Sequence, residues 1–358
     1  MRALLPRLPL IALPLALFLA FFHASVLDVG NAGWLIRGTD NGENALGLHA
    51  WLHDPAPGLL ETQLLNAPDG VPLLFTDSNP LVSALAFPLR GILPADAQFV
   101  GPWLLLCLFL QVWFAWRLLR GHAPGPVALW CGVLLLASLP TLFNRYIHAN
   151  LTAHWLILWA LARFLDPVRA RPNSGWAVLI ALTAMIHSYL LVMVGAIWAS
   201  AMLARMAGET GAQRARTLAE GAAMLAMVVW IAWMLGVFMP HAAAGNYGVF
   251  AMPLDALWNP GTPVFSAFLP ATAQPLGRGF EGFQYLGLGV LIALPLAAVL
   301  IWRMRGKAAA EIADLHRLIW LAPALIVLTL LAIGHAPSFA GRQLFVLPLP
   351  QQVVDALR

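Results

Sequence analysis

Two carboxylates near the N-terminal end of the chain, Asp40 and Glu43, have a spacing that could support acid–base chemistry. Residues three apart lie on one helical face, and the apolar pattern from Trp34 to Trp51 predicts a helix. Two neighbouring carboxyl groups can divide their roles, one ionised and the other protonated. An ionised carboxylate can act as a general base toward an acceptor hydroxyl. We therefore predict that the carboxyl groups of Asp40 and Glu43 are catalytic.

A second polar cluster follows the apolar stretch that ends near residue 144. Arg145, His148 and Thr152 have i, i+3, i+7 spacing, which predicts one helical face, with Asn150 and His154 on the other. A cation at the mouth of a membrane span usually has an anionic partner, and a guanidinium matches phosphate with paired donors. We predict a phosphate-binding role for Arg145, with His148 and His154 nearby. The alternative is an arginine that reaches the lipid headgroups.

Three other histidines are candidates for binding. His187 lies between two apolar segments, where it could serve a leaving phosphate or only hydrogen bond to the turn. His49 and His53 are four residues apart and could add a metal site, but two histidines without a third ligand are usually surface residues. We predict no cofactor and no metal ligand, and leave a divalent metal open.

The composition determines which kind of protein positions these groups. Hydrophobic residues make up 61% of the 358 residues and charged residues 10%, against about 25% charged in an average soluble protein. So few charges cannot cover a soluble globule, which excludes a soluble enzyme, a disordered chain and a nucleic-acid binder. We predict an integral membrane protein whose partner is the lipid bilayer and which has no nucleic-acid partner.

Runs of about 20 apolar residues, the length that crosses a bilayer, predict an all-α polytopic transmembrane bundle of about nine spans in a single membrane domain, 1–358. The stretch 176–205 is predicted as two short helices that turn at His187, and 80–94 as a surface or re-entrant helix. The predicted order is a first span at 8–27, a periplasmic loop at 28–98, spans two to seven within 99–239, a periplasmic loop at 240–283, spans eight and nine within 284–334, and a periplasmic end at 335–358.

The charges predict which side each loop faces. With a cytoplasmic N-terminus and nine spans, 14 of the 20 cations fall inside and 6 outside, as the positive-inside rule requires. The net charge of +4 is therefore explained by topology. Eight of the 16 acids lie in the 28–98 loop. We predict a bacterial inner-membrane location with the site facing the periplasm.

This arrangement resembles the GT-C class of membrane glycosyltransferases, which place an essential acid in the first outer loop, and more closely an uncharacterised bacterial family of multi-pass proteins related to them. The matching segments span nearly the whole chain in order. They are Gly38-Thr39-Asp40 through Leu46-Gly47, Leu74-Phe75-Thr76-Asp77-Ser78, Arg145-Tyr146-Ile147-His148 through His154-Trp155, Ile186-His187-Ser188-Tyr189, Asn259-Pro260, and Glu281-Gly282-Phe283-Gln284-Tyr285-Leu286-Gly287.

The resemblance implies a transfer of sugar from a polyprenyl-phosphate donor to a cell-envelope glycan or lipid acceptor. It matches Asp40 to the first-loop general base, Asp77 to a second site acid and Glu281 to a substrate contact, while Glu43 departs from the amide expected there. The resembling proteins continue with further helices, so we expect a truncated chain. The alternatives are a lipid or glycan transporter or flippase, and a non-catalytic membrane partner in envelope assembly.

Asp77 also has a purely structural interpretation, because it belongs to Thr76-Asp77-Ser78-Asn79-Pro80. Ser78 or Asn79 can cap a helix, and proline suits the first helical position. The sequence therefore predicts a helix that starts at Pro80.

Overall fold

A computed structural model of the chain describes residues 8–35, 38–166, 173–239, 250–274, 278, 280–304, 317–350 and 352–353. The parts of the predicted topology that fall on 1–7, 36–37, 167–172, 240–249, 305–316 and 354–358 lie outside these residues. They include the start of the predicted 240–283 loop and the last residues of the 335–358 segment.

The described chain is mostly helical, with two small antiparallel strand pairs, β1–β2 (Glu61–Thr62 with Val71–Pro72) and β3–β4 (Ser338–Phe339 with Arg342–Gln343). The α-helices are α1 (Pro9–Phe21), α2 (Asp40–His53), α3 (Pro80–Ala86), α4 (Val100–Leu119), α5 (Pro126–Ala137), α6 (Pro140–Asn144), α7 (Trp155–Leu165), α8 (Asn173–Ile186), α9 (Ser188–Ala207), α10 (Gly211–Met234), α11 (Leu288–Met304) and α12 (Ala322–Ile333). Short 3-10 turns, including Ala24–Leu27, Leu73–Thr76, Phe87–Leu89 and Ala149–Thr152, connect several of them.

Within the described residues, four segments are long and apolar enough to cross a bilayer: Val100–Leu119, Pro126–Asn144, Ser188–Ala207 and Gly211–Met234. The structure therefore confirms a mostly helical chain with helices that could cross a membrane. The other apolar helices, such as α1 with 13 residues and α12 with 12, are shorter than a full span. The surface of α12 carries exposed Leu325, Ile326 and Leu330, and a contiguous exposed apolar surface of this kind suits contact with lipid.

Several predicted boundaries differ from the structure. The stretch 176–205 does form two helices that meet at His187, but α9 has 20 residues and is not short. The first-loop helix does not begin at Trp34. It begins at Asp40, because the Thr39 hydroxyl accepts a hydrogen bond from the Gly42 N–H and caps the first turn. The helix predicted from Pro80 is confirmed, with the Asn79 side chain accepting from Val82 N–H.

The chain divides into two compact units, Met1–Ala137 with Arg145–Met239, and Ser138–Asn144 with Pro240–Arg358. In the first unit, α4 packs against α1, α5 and α7, while α9 packs against α7 and α8. The loop after α2 joins the core of this unit with α8 and α10. That shared core consists of Trp51, Leu60, Leu73, Ala184, Ile231 and Leu235.

The second unit contains α6, α11, α12 and the β3–β4 hairpin. Among its described residues, Asp255 is buried, at 4% exposure, and accepts hydrogen bonds from the side-chain amides of Asn259 and Gln274. The Asn259 amide also donates to the Thr272 carbonyl at 3.0 Å. These bonds hold the irregular segment after residue 250 in one conformation.

Candidate functional site

Four polar side chains from four separate stretches of the first unit meet in one cluster: Asp40, Asp77, His148 and His187. His148 is at its centre. Its Nε2 atom lies 3.9 Å from Asp40 Oδ2 and 3.7 Å from Asp77 Oδ1. The His148 and His187 rings are 5.1 Å apart between centroids and nearly perpendicular, at 72°. The structure therefore brings together the first-loop acid, the second acid and two of the predicted histidines.

The first turn of α2 positions Asp40. Asn41, the next residue, is 7% exposed. Its Nδ2 donates to the Tyr146 carbonyl at 2.8 Å, and its Oδ1 accepts from the Ala149 N–H at 2.7 Å. Asparagine is a weak helix former, so its presence here has a tertiary reason. These two bonds fasten the start of α2 to the backbone on both sides of His148.

Asp77 is held through its backbone. Its φ of 53° places it in the left-handed region, where Asp and Asn are tolerated better than most residues. Its carbonyl accepts from the Asn44 and Asn150 side-chain amides, both at 2.7 Å. The Ser78 hydroxyl donates to the Asn44 carbonyl at 2.8 Å. Two amides therefore fix the Asp77 carbonyl, and the Asp77 Oδ1 atom lies 3.7 Å from His148 Nε2.

A glycine on α2 makes this contact between α2 and residues 76–78 possible. Gly47 is buried, and a Cβ at this position would overlap the side chains of Thr76 and Ser78. The close approach of the two backbones therefore requires a residue without a side chain at position 47.

The segment around His148 is not the α-helix that the spacing of Arg145, His148 and Thr152 predicts. His148 has φ −130° and ψ 83°, outside the helical region, and only a 3-10 turn, Ala149–Thr152, follows it. The prediction of one shared helical face is therefore wrong. The Ala149 carbonyl accepts hydrogen bonds from Trp103 Nε1 and from the Thr152 hydroxyl, at 3.0 and 2.6 Å, and such bonds replace those that a helix would make.

The electrostatics of the cluster favour a neutral His148. Burial has the largest effect and lowers the pKa of its imidazole. The Asp40 carboxylate partly opposes this, whereas the charge of Arg145 lowers the pKa further. The ring also hydrogen bonds to its own backbone, while Nε2 faces the two acids.

His187 reaches the cluster from the junction between α8 and α9. It is the N-cap of α9, and its Nδ1 accepts a hydrogen bond from the Tyr189 N–H at 3.1 Å. The prediction that His187 occupies the turn between two helices is confirmed by this geometry.

Asp77, His148 and His187 also form a group that could hold a metal ion. Each offers one ligand atom, and these atoms all lie within 4.8 Å of one another. No short spacing in the sequence connects positions 77, 148 and 187, so sequence patterns gave no signal for this set. The i, i+4 pair of His49 and His53 was the metal candidate that spacing offered.

The His49 and His53 rings lie 4.2 Å apart between centroids and are tilted by 31° to each other. Their Nδ1 atoms hydrogen bond to backbone carbonyls, of Ala95 at 3.1 Å and of His49 itself at 2.8 Å. Among the described residues, no acid or cysteine joins them in a three-ligand group.

The other predicted site residues lie in different surroundings. Glu43 is exposed and lines a surface pocket of about 510 Å³ together with His49 and Asp96. His154 precedes α7 in the first unit, where it is within range of the Arg145 charge. Glu281 belongs to the second unit.

The chain matches one known protein family, whose description names no activity. The sequence pattern of one family, described as a domain of unknown function (DUF6311), matches residues 11–358. No curated protein and no solved structure matches the chain.

Proposed function

The chain belongs to the DUF6311 family, and we propose that it is a GT-C-like membrane glycosyltransferase. It transfers a sugar from a polyprenyl-phosphate donor to a hydroxyl of a cell-envelope glycan or lipid. The proposed location is the bacterial inner membrane, with about nine spans, a cytoplasmic N-terminus and a site that faces the periplasm. Both substrates would reach the site from the membrane or its outer surface.

The observation that carries this proposal is the pairing of Asp40 with His148 in a largely apolar helical protein. Asp40 is about one-third exposed and lies 3.9 Å from the buried imidazole. A carboxylate at this kind of boundary can accept the proton of an incoming hydroxyl while the rest of the acceptor stays in solvent. Asp40 is the general base in our proposal. It takes the proton of the acceptor hydroxyl, and the acceptor oxygen attacks the anomeric carbon of the donor.

The leaving group is the carrier phosphate, which needs positive charge or hydrogen-bond donors as the sugar–phosphate bond breaks. Arg145 supplies the charge, and it acts electrostatically on His148, His154 and His187. A guanidinium can donate two parallel hydrogen bonds to one phosphate. We assign Arg145 to the carrier phosphate, with the histidines as further contacts. Glu43 and Glu281 remain predicted site residues without a role in this scheme.

The test is a comparison of envelope glycolipids between a strain that lacks this protein and its parent, by mass spectrometry. We expect at least one glycosylated lipid or glycan to disappear, with its unglycosylated acceptor accumulating. The wild-type gene should restore the product. Asp40→Asn should lower its rate of formation by about 10²-fold or more, since a general base contributes roughly 10²–10⁴-fold.

Asp69→Asn is the matched control, because Asp69 is an exposed acid in the same predicted loop and has no proposed role. It should restore the product fully. If Asp40→Asn restores it as well as Asp69→Asn does, while both proteins accumulate equally, Asp40 is not the base. If the deletion changes only where a lipid-linked glycan resides and not its structure, the protein is a transporter.

A further inference from the structure

We propose that Asp77, His148 and His187 bind one first-row transition-metal dication, with zinc as the best match. The three ligand atoms lie within 4.8 Å of one another, close enough for small side-chain rotations to bring them to bonding distance around one ion. This inference concerns metal binding alone and does not depend on glycosyl transfer.

The donor set selects the class of ion. Two imidazole nitrogens and one carboxylate oxygen suit zinc and its first-row neighbours. Magnesium and calcium prefer sites made of oxygen ligands. Three protein ligands also leave a fourth position open, as in zinc sites where a water or a substrate oxygen binds. Asp40, 3.9 Å from His148 Nε2, lies outside the three-ligand set but next to it.

The surroundings hold two of the ligands in place. The Asp77 backbone is fixed by the Asn44 and Asn150 amides. The His148 ring hydrogen bonds to its own backbone and directs Nε2 toward Asp77. A metal-binding histidine typically donates its second nitrogen to a backbone or carboxylate oxygen in this way.

The third ligand has to change partner. The His187 Nδ1 atom accepts a hydrogen bond from Tyr189 N–H, and a neutral imidazole has one lone pair and one N–H. If Nδ1 binds the metal, its lone pair is no longer available to Tyr189. If Nε2 binds the metal, Nδ1 carries the ring proton and can no longer accept a hydrogen bond from the Tyr189 N–H. Metal binding and the α9 cap are therefore mutually exclusive, and the ion would uncap α9.

The experiment uses the full chain in detergent or nanodiscs, stripped of metal with a chelator. Zinc is titrated calorimetrically, and metal content is measured by mass spectrometry after gel filtration. We expect one equivalent per chain. Cobalt(II) is a second probe, because its visible absorption reports nitrogen ligation. Hydrogen exchange at the Tyr189 amide should speed up when zinc is added, and this readout needs no variant.

Two substitutions remove one ligand each and keep the local fold. Asp77→Asn retains a residue that tolerates the left-handed backbone, and His187→Asn retains a good N-cap. Each should weaken zinc binding by about tenfold or more, the low end of losses seen even for outer-shell changes. The double variant His49→Ala with His53→Ala is the matched control and should bind zinc like the wild type.

Three results would overturn the proposal. They are wild-type protein that holds no more zinc than Asp77→Asn, loss of zinc binding in the His49/His53 variant, and binding of magnesium in preference to zinc. Unchanged exchange at Tyr189 in the zinc-bound protein would remove His187 from the ligand set. All of these readouts are independent of enzymatic activity, so a failed glycolipid experiment leaves them interpretable.

Discussion

The first and last turns of α2 both carry ionisable side chains but have very different surroundings. The first turn presents Asp40 to a buried histidine 108 positions later, and Asn41 bonds to backbone that is equally distant in the sequence. The last turns carry His49 and His53, whose rings contact each other and hydrogen bond to backbone carbonyls. His49 and His53 have regular helical spacing, yet they have fewer chemical partners than Asp40 and Asn41.

This contrast shows that spacing within one helix identifies neighbours but does not identify a site. A site requires groups that are desolvated and held by several segments. At the start of α2, those segments are the loop that carries Asp77, the turn that carries His148 and the cap of α9. The following substitutions along α2 and in the residues next to it separate the two ends, from the largest expected effect to the smallest.

Gly47→Ala should have the largest effect, because the new Cβ would overlap Thr76 and Ser78. Overpacking costs roughly 1–3 kcal/mol and sometimes more, and we expect about 3 kcal/mol here because both neighbours are short side chains. Unfolding by SDS, followed by circular dichroism, measures it. Gly195→Ala in α9 is the control, since its Cβ would meet no atom within 4 Å. Equal stability of the two variants would contradict the close contact described for α2.

Asn41→Ala should follow, with a loss of about 2 kcal/mol. It leaves the Tyr146 carbonyl and the Ala149 N–H without their partner, and a buried polar group without a hydrogen bond costs about 1–3 kcal/mol. The same SDS titration applies. Leu46→Ala, on the exposed side of the helix, should change the unfolding free energy by less than about 0.5 kcal/mol. A smaller loss of unfolding free energy for Asn41→Ala than for Leu46→Ala would show that the Asn41 hydrogen bonds do not stabilise the start of α2.

Replacing Asp54, the residue after α2, should change the stability by a smaller amount that depends on pH. Hydrogen bonds from the backbone of Ala56 and Gln63, and from the Thr62 hydroxyl, hold the pKa of Asp54 below 3.8. A lowered pKa in the folded state stabilises the fold above the unfolded value, and that contribution disappears as the pH falls through the folded value. The stability gap between wild type and Asp54→Asn should therefore shrink between about pH 5 and pH 2.

Thermal unfolding of the two proteins across that pH range checks the prediction for Asp54. A gap that stays constant down to the lowest pH would mean that the charge of Asp54 does not contribute. Circular dichroism at each pH confirms that both chains are folded before heating.

The double variant His49→Ala with His53→Ala should have the smallest effect. Substitutions at surface positions outside special features usually change stability by about 0.5 kcal/mol or less. The SDS titration should therefore give nearly the wild-type midpoint. A loss as large as that of Asn41→Ala would mean that the two ends of α2 do not differ as described.

The sequence predicted the parts of this fold that depend on local patterns. The apolar runs predicted a mostly helical chain with helices long enough to cross a membrane, and Asn79-Pro80 located the start of α3. The polar residues His187, Ser188 and Tyr189 predicted the junction of α8 and α9. The start of α2 was placed too early, because the hydroxyl cap of Thr39 outweighs the apolar residues before it.

The site was only partly predictable. Asp40, Asp77, His148 and His187 were each proposed separately, and nothing in their positions indicated that they meet. The helical spacing of Arg145 and His148 suggested a face that does not exist, because bonds from Asn41, Trp103 and Thr152 hold that segment in another shape. Contacts between residues more than 100 positions apart arise from tertiary packing and leave no periodic signal.

The division into two units has a consequence for how the protein is made. The four clustered residues lie at positions 40 to 187, and the first unit ends at Met239. A ribosome that synthesises the chain from its N-terminus has therefore produced every group of the cluster before it begins the long segment of the second unit at Pro240.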